Sequence, residues 1–215
     1  MQITSGIYSI LSHPAVYDFL QDVLYGHKGQ REYVKTYIRP SKGDRLLDIG
    51  CGTGRILRYL PECDYLGADL SERYIARARK RKFSGRTRFI SSDINQFLQQ
   101  SREGFDIIIG YGLLHHLNDG EAQAMIRRAK DSLLPGGRLV TIDGVYHDNQ
   151  NCISRFMIDR DRGRNVRNEA DYRALFNGVF PSLVIDIRTD ILRIPYSLII
   201  ADACNEPRVE GEAAG

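Results

Sequence analysis

Three glycines at alternating positions follow a short apolar run, in the sequence LLDIGCGTG of residues 46–54. An apolar run that ends in glycines and small residues predicts a buried strand, a tight turn and the start of a helix. Such a turn needs glycine where its backbone φ is positive or where a ligand approaches the main chain closely. We therefore expect this turn to make close contact with a ligand.

Strand-like and helix-like segments alternate from residue 45 onward, with short connections between them. The apolar runs predict strands at residues 45–49, 65–69, 87–91, 105–110 and 137–143. Between them, the spacing predicts helices at residues 54–60, 72–82, near 96 and 119–134. This alternation is typical of an α/β fold, in which helices cover both faces of a parallel sheet.

The rhythm changes after the fifth predicted strand. Helical spacing over residues 153–158 and 169–177 leads to two further strands at 183–188 and 193–203, whose short link favours antiparallel pairing. With 215 residues the chain can bury one sizeable core, so we expect a single domain over residues 1–215. Residues 41–204 form its predicted core, and residues 205–215 a loose tail.

Residues 1–40 carry two helical patterns before the first strand. The first has Pro14 where an initial helical turn tolerates it, and the second runs from about Gln30 to Pro40. They predict either a fixed cap over one edge of the core or a lid over a ligand site. In the second case Tyr8, His13 and Tyr17 become ligand contacts, and in the first they are packing and capping residues.

Composition excludes several classes of protein. No apolar stretch is long enough for a transmembrane helix, so we expect no membrane insertion, and the first residues do not resemble a signal peptide. The cysteines are too scattered for a metal knuckle or a disulfide framework, which predicts a reduced, cytoplasmic protein without a metal site: Cys51, Cys63, Cys152 and Cys204. A net charge of +3 does not by itself indicate a nucleic-acid partner.

Carboxylates stand at the ends of three successive predicted strands, at Asp48, Asp69 and Asp93. Asp69 lies about twenty residues past the first glycine, where a carboxylate can accept hydrogen bonds from both ribose hydroxyls. Asp93 can accept from an adenine amino group or cap the helix that follows it. For Asp69 the alternative is also helix capping, for which Ser71 is the better candidate.

Three explanations compete for the glycine turn. The helix start after it favours a nucleotide-like ligand. A dinucleotide fingerprint requires G-x-G-x-x-G, but Arg55 stands where its third glycine belongs, and Asp48 would repel a pyrophosphate while it could receive an ammonium group. A short-chain dehydrogenase would also need a Tyr-x-x-x-Lys pair, which the chain lacks. The third explanation is a purely structural turn.

Together these motifs resemble the class I S-adenosylmethionine-dependent methyltransferases. The resemblance rests on residues 48–54 (DIGCGTG), the acids at 69 and 93, residues 105–117 (FDIIIGYGLLHHL) and residues 134–139 (LPGGRL), in the family's order and spacing. It implies a Rossmann-like, doubly wound, seven-stranded sheet that is mostly parallel with an antiparallel last strand, and S-adenosyl-L-methionine as cofactor with S-adenosyl-L-homocysteine as product. No subgroup is identified.

The resemblance also implies site residues. Gly50, Gly52 and Gly54 would approach the methionine part of the cofactor, Asp69 would hold its ribose, and Asp93 with Ile94 would flank its adenine. The remaining residues expected in the cofactor site are Asp48, Cys51, Leu70 and Gly110.

Methyl transfer needs a base only if the nucleophile carries a proton. His115, His116 and Tyr111 are the catalytic candidates, because they follow the fourth strand and imidazole titrates near neutral pH. The histidine pair can instead shape the pocket wall, and Tyr146 and His147 can orient the acceptor. We expect a small-molecule acceptor, with O-methylation favoured over N-methylation; the alternatives are an RNA or protein methyltransferase, or a catalytically silent partner subunit.

Two charged stretches bear on the acceptor. Residues 73–88 carry eight arginines and lysines, which can contact a phosphate backbone but more often form a solvated helix face, so we do not expect a nucleic-acid partner. Residues 159–167 alternate aspartate and arginine. These arginines can clamp an anionic acceptor or pair with the neighbouring aspartates.

Overall fold

The computed structural model describes residues 26–100, 103–160 and 165–206, and these form one α/β unit around a mixed sheet. Its strands are β1 (Arg45–Ile49), β2 (Asp64–Asp69), β3 (Thr87–Ser91), β4 (Phe105–Tyr111), β5 (Leu133–Tyr146), β6 (Arg167–Asn168), β7 (Ser182–Arg188) and β8 (Leu198–Cys204). The strand order is β3-β2-β1-β4-β5-β8-β7, and the two-residue β6 pairs with β5.

Strand directions confirm the predicted topology. β8 runs antiparallel to both of its neighbours, β5 and β7, whereas every other pairing is parallel. The strand order reverses between β1 and β4: from β1 the chain adds β2 and β3 toward one edge of the sheet, and from β4 it adds the later strands toward the other edge. In doubly wound folds, ligands bind outside the carboxyl ends of the strands at such a point.

Helices connect the strands. They are α1 (Glu72–Ala78), α2 (Ile94–Gln100), α3 (Asp119–Asp131), α4 (Cys152–Ile158) and α5 (Glu169–Phe176), with short 3₁₀ turns at Arg55–Tyr59 and Leu114–His116. Ser71 caps α1, as its sequence position predicted, by accepting a hydrogen bond from the Tyr74 N–H at 3.4 Å. Asn118 and Glu121 form a capping box at the start of α3.

Several elements differ from the sequence prediction. Within residues 54–60 only a short 3₁₀ turn forms, at Arg55–Tyr59, and it follows Gly54, whose φ is +68°. The helix predicted to end at 82 stops at Ala78, and α3 ends at Asp131, so that β5 already includes the Pro-Gly-Gly sequence. The last strand starts at 198 rather than 193, and β6 was not predicted.

Apolar side chains cover both faces of the sheet, as predicted for helices on both sides. On one face Leu47 and Ile49 pack with residues of α2, α3 and α5. On the other, Leu46 and Tyr65 pack with the 3₁₀ turn after β1 and with an N-terminal helix. Alternate residues of β1 therefore serve opposite faces, as the period of a strand requires.

The N-terminal helix comprises residues 26–33 and continues into a π-helical turn, Val34–Ile38. The Arg138 guanidinium of β5 donates hydrogen bonds to the carbonyls of Tyr37 and Ile38, at 3.2 and 2.6 Å. Arg188 of β7 donates to Glu32 at 2.7 Å. Residues 26–38 are therefore anchored to the sheet as a cap, while Tyr8, His13, Tyr17 and the first predicted helix lie outside the described residues.

The described residues lack two features that would point to other functions. No helix among them has both the length and the apolar character needed to cross a membrane. Across residues 26–100, 103–160 and 165–206, no group of three or more histidine, cysteine, aspartate or glutamate side chains can hold a metal ion.

We predict that Arg138→Met loosens the N-terminal helix. Arg138 also pairs with Asp202 at 3.1 Å, so the substitution removes three charge-assisted hydrogen bonds. The free energy of unfolding should fall by about 3 kcal/mol, and amides of residues 26–38 should exchange hydrogen faster. Arg127→Met, at an exposed position of α3, is the matched control and should change stability by no more than about 0.5 kcal/mol. Equal effects of both substitutions would contradict the anchoring role.

Candidate active site

The glycine turn joins β1 to the 3₁₀ turn at the carboxyl edge of the sheet. Gly50, Gly52 and Gly54 have φ values of +73°, +54° and +68°, which confirms that the turn requires glycine. The N–H groups of Gly50 and Cys51 both donate to the carbonyl of Ala68, at 2.8 and 3.1 Å. The turn is therefore tied to the end of β2.

Asp69 holds the same turn from the side. Its carboxylate accepts the Gly52 N–H at 2.9 Å and the Ser71 N–H at 2.7 Å. Burial raises the pKa of Asp69 above its ordinary value, although these two hydrogen bonds oppose the shift. Asp69 thus lies at the strand end that the sequence predicted, and it braces the backbone that a ligand would approach.

A cleft opens beside the turn on the face covered by the N-terminal helix. Its empty volume is about 450 Å³, a figure that includes the space at its open mouth. The lining residues come from the N-terminal helix, β1, the glycine turn, the following 3₁₀ turn and the end of β4: Gln30, Asp48, Gly50, Cys51, Thr53, Arg55, Ile56 and Tyr111. Four of the residues predicted for the site are among them: Asp48, Gly50, Cys51 and Tyr111.

Asp48 is the buried acid of this cleft, with 3% of its surface exposed. One carboxylate oxygen, Oδ2, accepts the Tyr65 hydroxyl at 2.6 Å, and the other, Oδ1, has no hydrogen-bond partner among the described residues. Burial raises the pKa of Asp48 to about 7, against the Tyr65 hydrogen bond and with a contribution from the charge of Asp69. An oxygen that is buried and unsatisfied in this way favours a cationic or hydrogen-bond-donating ligand.

Other predicted cofactor residues lie outside the cleft. Asp93 accepts the Gln96 N–H at 3.0 Å and so caps α2, the alternative that the sequence left open, and an adenine contact stays a prediction. Ile94 begins that helix, and the side chain of Leu70 is 74% exposed. Gly110 lies in β4 opposite Ile49 and Thr141, and the structure does not test its role.

The three catalytic candidates separate into two environments. Tyr111 lines the cleft and contacts Tyr33 edge-on, with ring centroids 5.4 Å apart. His115, 8% exposed, lies 2.7 Å through Nδ1 from Asp143 Oδ1, and the same oxygen accepts the His115 backbone N–H at 3.1 Å. The His116 ring stacks obliquely on that of His115 at 4.2 Å. Neither histidine is among the described residues that line the cleft.

The two residues predicted to orient an acceptor have partners of their own. Tyr146 donates to Asp159 at 2.8 Å, and His147 Nε2 lies 3.0 Å from the Ser197 hydroxyl. Both contacts lie beyond the end of β5, where its carboxyl edge meets α4 and the start of β8.

The charged stretches are partly structural. Arg81 donates to the carbonyl and the hydroxyl of Thr53, which fixes the glycine turn from below, and Arg88 pairs with Glu103. Arg167 is buried and pairs with Asp119 at 2.8 Å, while it also donates to the carbonyls of Leu114 and Leu117. Arg167 therefore holds the histidine turn in place, and residues 161–164 of the same stretch lie outside the described residues.

Sequence reasoning missed three polar residues of the cleft, Gln30, Thr53 and Arg55. Thr53 lies within the glycine turn, but only its neighbours were predicted as site residues. Gln30 marked only the start of a predicted helix, and Arg55 counted only as a departure from the dinucleotide fingerprint. Helical spacing shows that Gln30 lies on a helix, but no local pattern shows that this helix packs over the glycine turn. The position of Arg55 could have indicated that it lines the cleft, because it directly follows the last glycine of the turn.

Comparisons with known proteins agree with this geometry. Residues 46–137 match the family model described as a methyltransferase domain. The chain is 33% identical over 111 residues to the probable tRNA methyltransferase 9B of Homo sapiens, a match that covers 50% of this chain and 23% of that protein. It is 36% identical over 108 residues to the 27-O-demethylrifamycin SV methyltransferase of Amycolatopsis mediterranei. This match covers 47% of this chain and 39% of that protein. The chain thus spans well under half the length of both relatives.

A solved structure shares the whole fold. The N-methyltransferase NodS from Bradyrhizobium japonicum WM9, in complex with S-adenosyl-L-homocysteine, aligns with a TM-score of 0.68 and 20% identity. The alignment covers 93% of this chain and 97% of that one. At this identity the likeness concerns the fold, including the mixed sheet with its antiparallel β8.

We predict that Asp48→Asn changes how stability depends on pH. Because the pKa of Asp48 is about 7 in the folded chain and near 4 when unfolded, the folded state binds its proton more tightly. Its contribution to the free energy of unfolding therefore falls as pH rises through this interval, by about 2–3 kcal/mol between about pH 5 and pH 8. Urea unfolding of Asp48→Asn should show a correspondingly smaller loss.

The matched control is Asp93→Asn, at an exposed carboxylate that can still cap α2. It should leave the wild-type pH dependence unchanged. An Asp48→Asn variant that loses as much stability as the wild type over this interval would show that Asp48 does not titrate there.

Proposed function

We propose that this chain, which belongs to the class I S-adenosylmethionine-dependent methyltransferase family, transfers a methyl group from S-adenosyl-L-methionine to a small-molecule acceptor. One observation carries the proposal: the buried Asp48 carboxylate, with Oδ1 unsatisfied among the described residues, lies in a cleft beside a turn of three positive-φ glycines. This arrangement suits the end of a ligand that carries an ammonium group.

The residues of the cleft fit the methionine end of this cofactor. That end is an α-amino acid, with a cation for Asp48 and an anion for the Arg55 guanidinium, which lines the same cleft. A pyrophosphate would instead meet two carboxylates, Asp48 and Asp69, and be repelled. In this proposal Asp69 accepts the ribose hydroxyls, Asp93 and Ile94 flank the adenine, and the product is S-adenosyl-L-homocysteine.

The cofactor, when bound, supplies a methyl group already activated by its sulfonium. The chain's own task is then to hold donor and acceptor in line, and orientation of this kind can supply about 7–11 kcal/mol. Tyr111 is proposed to orient the acceptor, since it lines the cleft at the end of β4. The N-terminal helix lines the cleft through Gln30, and in this proposal it limits the access of water to the reacting groups.

His115 is the proposed general base for a nucleophile that carries a proton. With Nδ1–H directed at Asp143 Oδ1, the basic lone pair of the ring is on Nε2. The hydrogen bonds of Arg167 to the carbonyls of Leu114 and Leu117 support a fixed position for this ring. A positioned base suits a hydroxyl or carboxyl acceptor, and we therefore propose O-methylation ahead of N-methylation.

An RNA acceptor is the second candidate. It is favoured by the match to the probable tRNA methyltransferase 9B and by exposed basic residues on and after α1: Arg73, Arg77, Arg79, Lys80, Lys82 and Arg86. A methyl-transfer screen with labelled cofactor distinguishes the two candidates if it pairs hydroxyl-bearing and amine-bearing metabolites with bulk tRNA. RNA binding should also weaken steeply with salt. Cofactor binding without transfer to any acceptor class would favour the catalytically silent subunit.

We predict that Asp69→Ala weakens cofactor binding. A hydrogen bond to a charged acceptor contributes about 1.5–3 kcal/mol, so affinity for S-adenosylmethionine should fall at least about tenfold. Calorimetry measures the change, and circular dichroism checks that the chain stays folded. Glu72→Ala, at an exposed acid on α1, is the control and should bind as the wild type does. Unchanged affinity in Asp69→Ala would remove this carboxylate from the ribose site.

We predict that His115→Asn lowers turnover by about 10²–10⁴-fold, the usual contribution of a general base. The asparagine amide can still donate to Asp143, so the turn should keep its structure and the cofactor its affinity. His116→Asn provides the comparison on the neighbouring ring. Turnover that survives His115→Asn but not His116→Asn would move the base to His116, and survival in both would mean that the acceptor needs no base.

A further inference from the structure

Gln30 is a buried polar residue of the N-terminal helix that faces the cleft. Only 6% of its surface is exposed, and its side-chain oxygen Oε1 has no hydrogen-bond partner among the described residues. It lines the same cleft as Asp48, whose Oδ1 is in the same condition. The cleft therefore holds two buried acceptor oxygens without a hydrogen-bond donor among the described residues: Oε1 of Gln30, from the N-terminal helix, and Oδ1 of Asp48, from β1.

Such a pair needs an explanation, because buried polar atoms are nearly always hydrogen-bonded and an unmatched one costs free energy. Two acceptors are matched by a ligand group with several N–H donors. An ammonium has three donors and no acceptor, and its positive charge suits the Asp48 carboxylate. A carboxylate or phosphate would be repelled by the same oxygens.

The position of Gln30 is fixed by close packing of its helix. A Cβ added to Gly29 would lie 2.1 Å from the Ile191 carbonyl oxygen, so only glycine lets the helix sit this close to residue 191. Arg138 and Arg188 hold the same helix at its C-terminal half. Gln30 therefore reaches the cleft from a rigid element, and no closing motion is needed to bring it there.

We propose that Gln30 is a cofactor-binding residue, which accepts a hydrogen bond from the α-ammonium of the cofactor's methionine end jointly with Asp48. This inference rests on the proposed function and deepens it, because it makes the N-terminal cap part of the cofactor site. Arg55, on the opposite side of the glycine turn from β1, then faces the α-carboxylate. In this inference the N-terminal helix, through Gln30, helps the site to recognise a ligand that ends in an α-amino acid. The backbone of the glycine turn would not provide this recognition by itself.

Calorimetry with two probes tests this inference. The probes are S-adenosylhomocysteine and its analogue in which hydrogen replaces the α-amino group. Gln30→Met removes the acceptor at similar volume and should weaken S-adenosylhomocysteine binding about tenfold to hundredfold, while it leaves affinity for the analogue within about twofold of wild type. Gln30→Glu keeps an acceptor and adds charge, so it should bind S-adenosylhomocysteine at least as tightly as wild type.

Gln96→Met, on the exposed side of α2, is the matched control and should bind both probes as the wild type does. Equal losses for both probes in Gln30→Met, or wild-type affinity for S-adenosylhomocysteine, would overturn the inference and leave the proposed function intact. Loss of binding in Gln30→Glu would also overturn it, since the side-chain amide would then be a donor to the carboxylate. Wild-type protein that binds neither S-adenosylmethionine nor S-adenosylhomocysteine would overturn the proposed function itself.

Discussion

The hydrogen bonds between the glycine turn and the end of β2 position the rest of the candidate site. Two N–H groups of the turn share the Ala68 carbonyl, and a third, from Gly52, reaches the Asp69 carboxylate. Because Asp69 also accepts the N–H of Ser71 at the start of α1, one carboxylate joins the glycine turn, the end of β2 and the start of α1. The carboxylate proposed to bind ribose therefore also braces the fold, and hydrogen bonds within the chain fix its position.

A second constraint is the face of the sheet on which β1 buries the carboxylate of Asp48. Leu47 and Ile49 serve the core beneath α3, so the residue between them must point to the other face, against Tyr65 and the N-terminal helix. A carboxylate in that place is costly without a partner, and burial raises its pKa to about 7. This buried carboxylate lines the cleft, and buried acids with raised pKa values are typical of functional sites.

The histidine turn depends on a different set of contacts. Arg167 comes from a strand of only two residues, yet its guanidinium reaches the carbonyls of Leu114 and Leu117 and the side chain of Asp119. From the sequence, the arginines of residues 159–167 were candidates for an anion clamp or for pairing within their own loop. The aspartate that Arg167 pairs with is Asp119, 48 residues earlier in the chain, and its other hydrogen bonds go to the carbonyls of Leu114, Leu117 and Asn165.

The sequence by itself determined whatever depends on neighbours along the chain. Apolar runs and turn residues predicted every strand except β6 within a few residues. They also predicted a turn that needs glycine, for a positive φ or for close approach of a ligand, and Ser71 as the better candidate for the helix cap. These features follow from local sterics and hydrogen bonding. The order of acids at strand ends also predicted which residues meet at one edge, because parallel strands end together.

Only the tertiary structure decided how deep each group lies and what faces it. Gln30 lines the cleft because Gly29 packs on residue 191 far along the chain, and β5 starts at Leu133 because it pairs with Phe105 of β4 across a register shift. Segments that are distant in sequence together bury Asp48, and this burial raises its pKa. A local sequence pattern does not show which distant segments will pack there, so the residues that line the cleft could not be predicted from those around the turn.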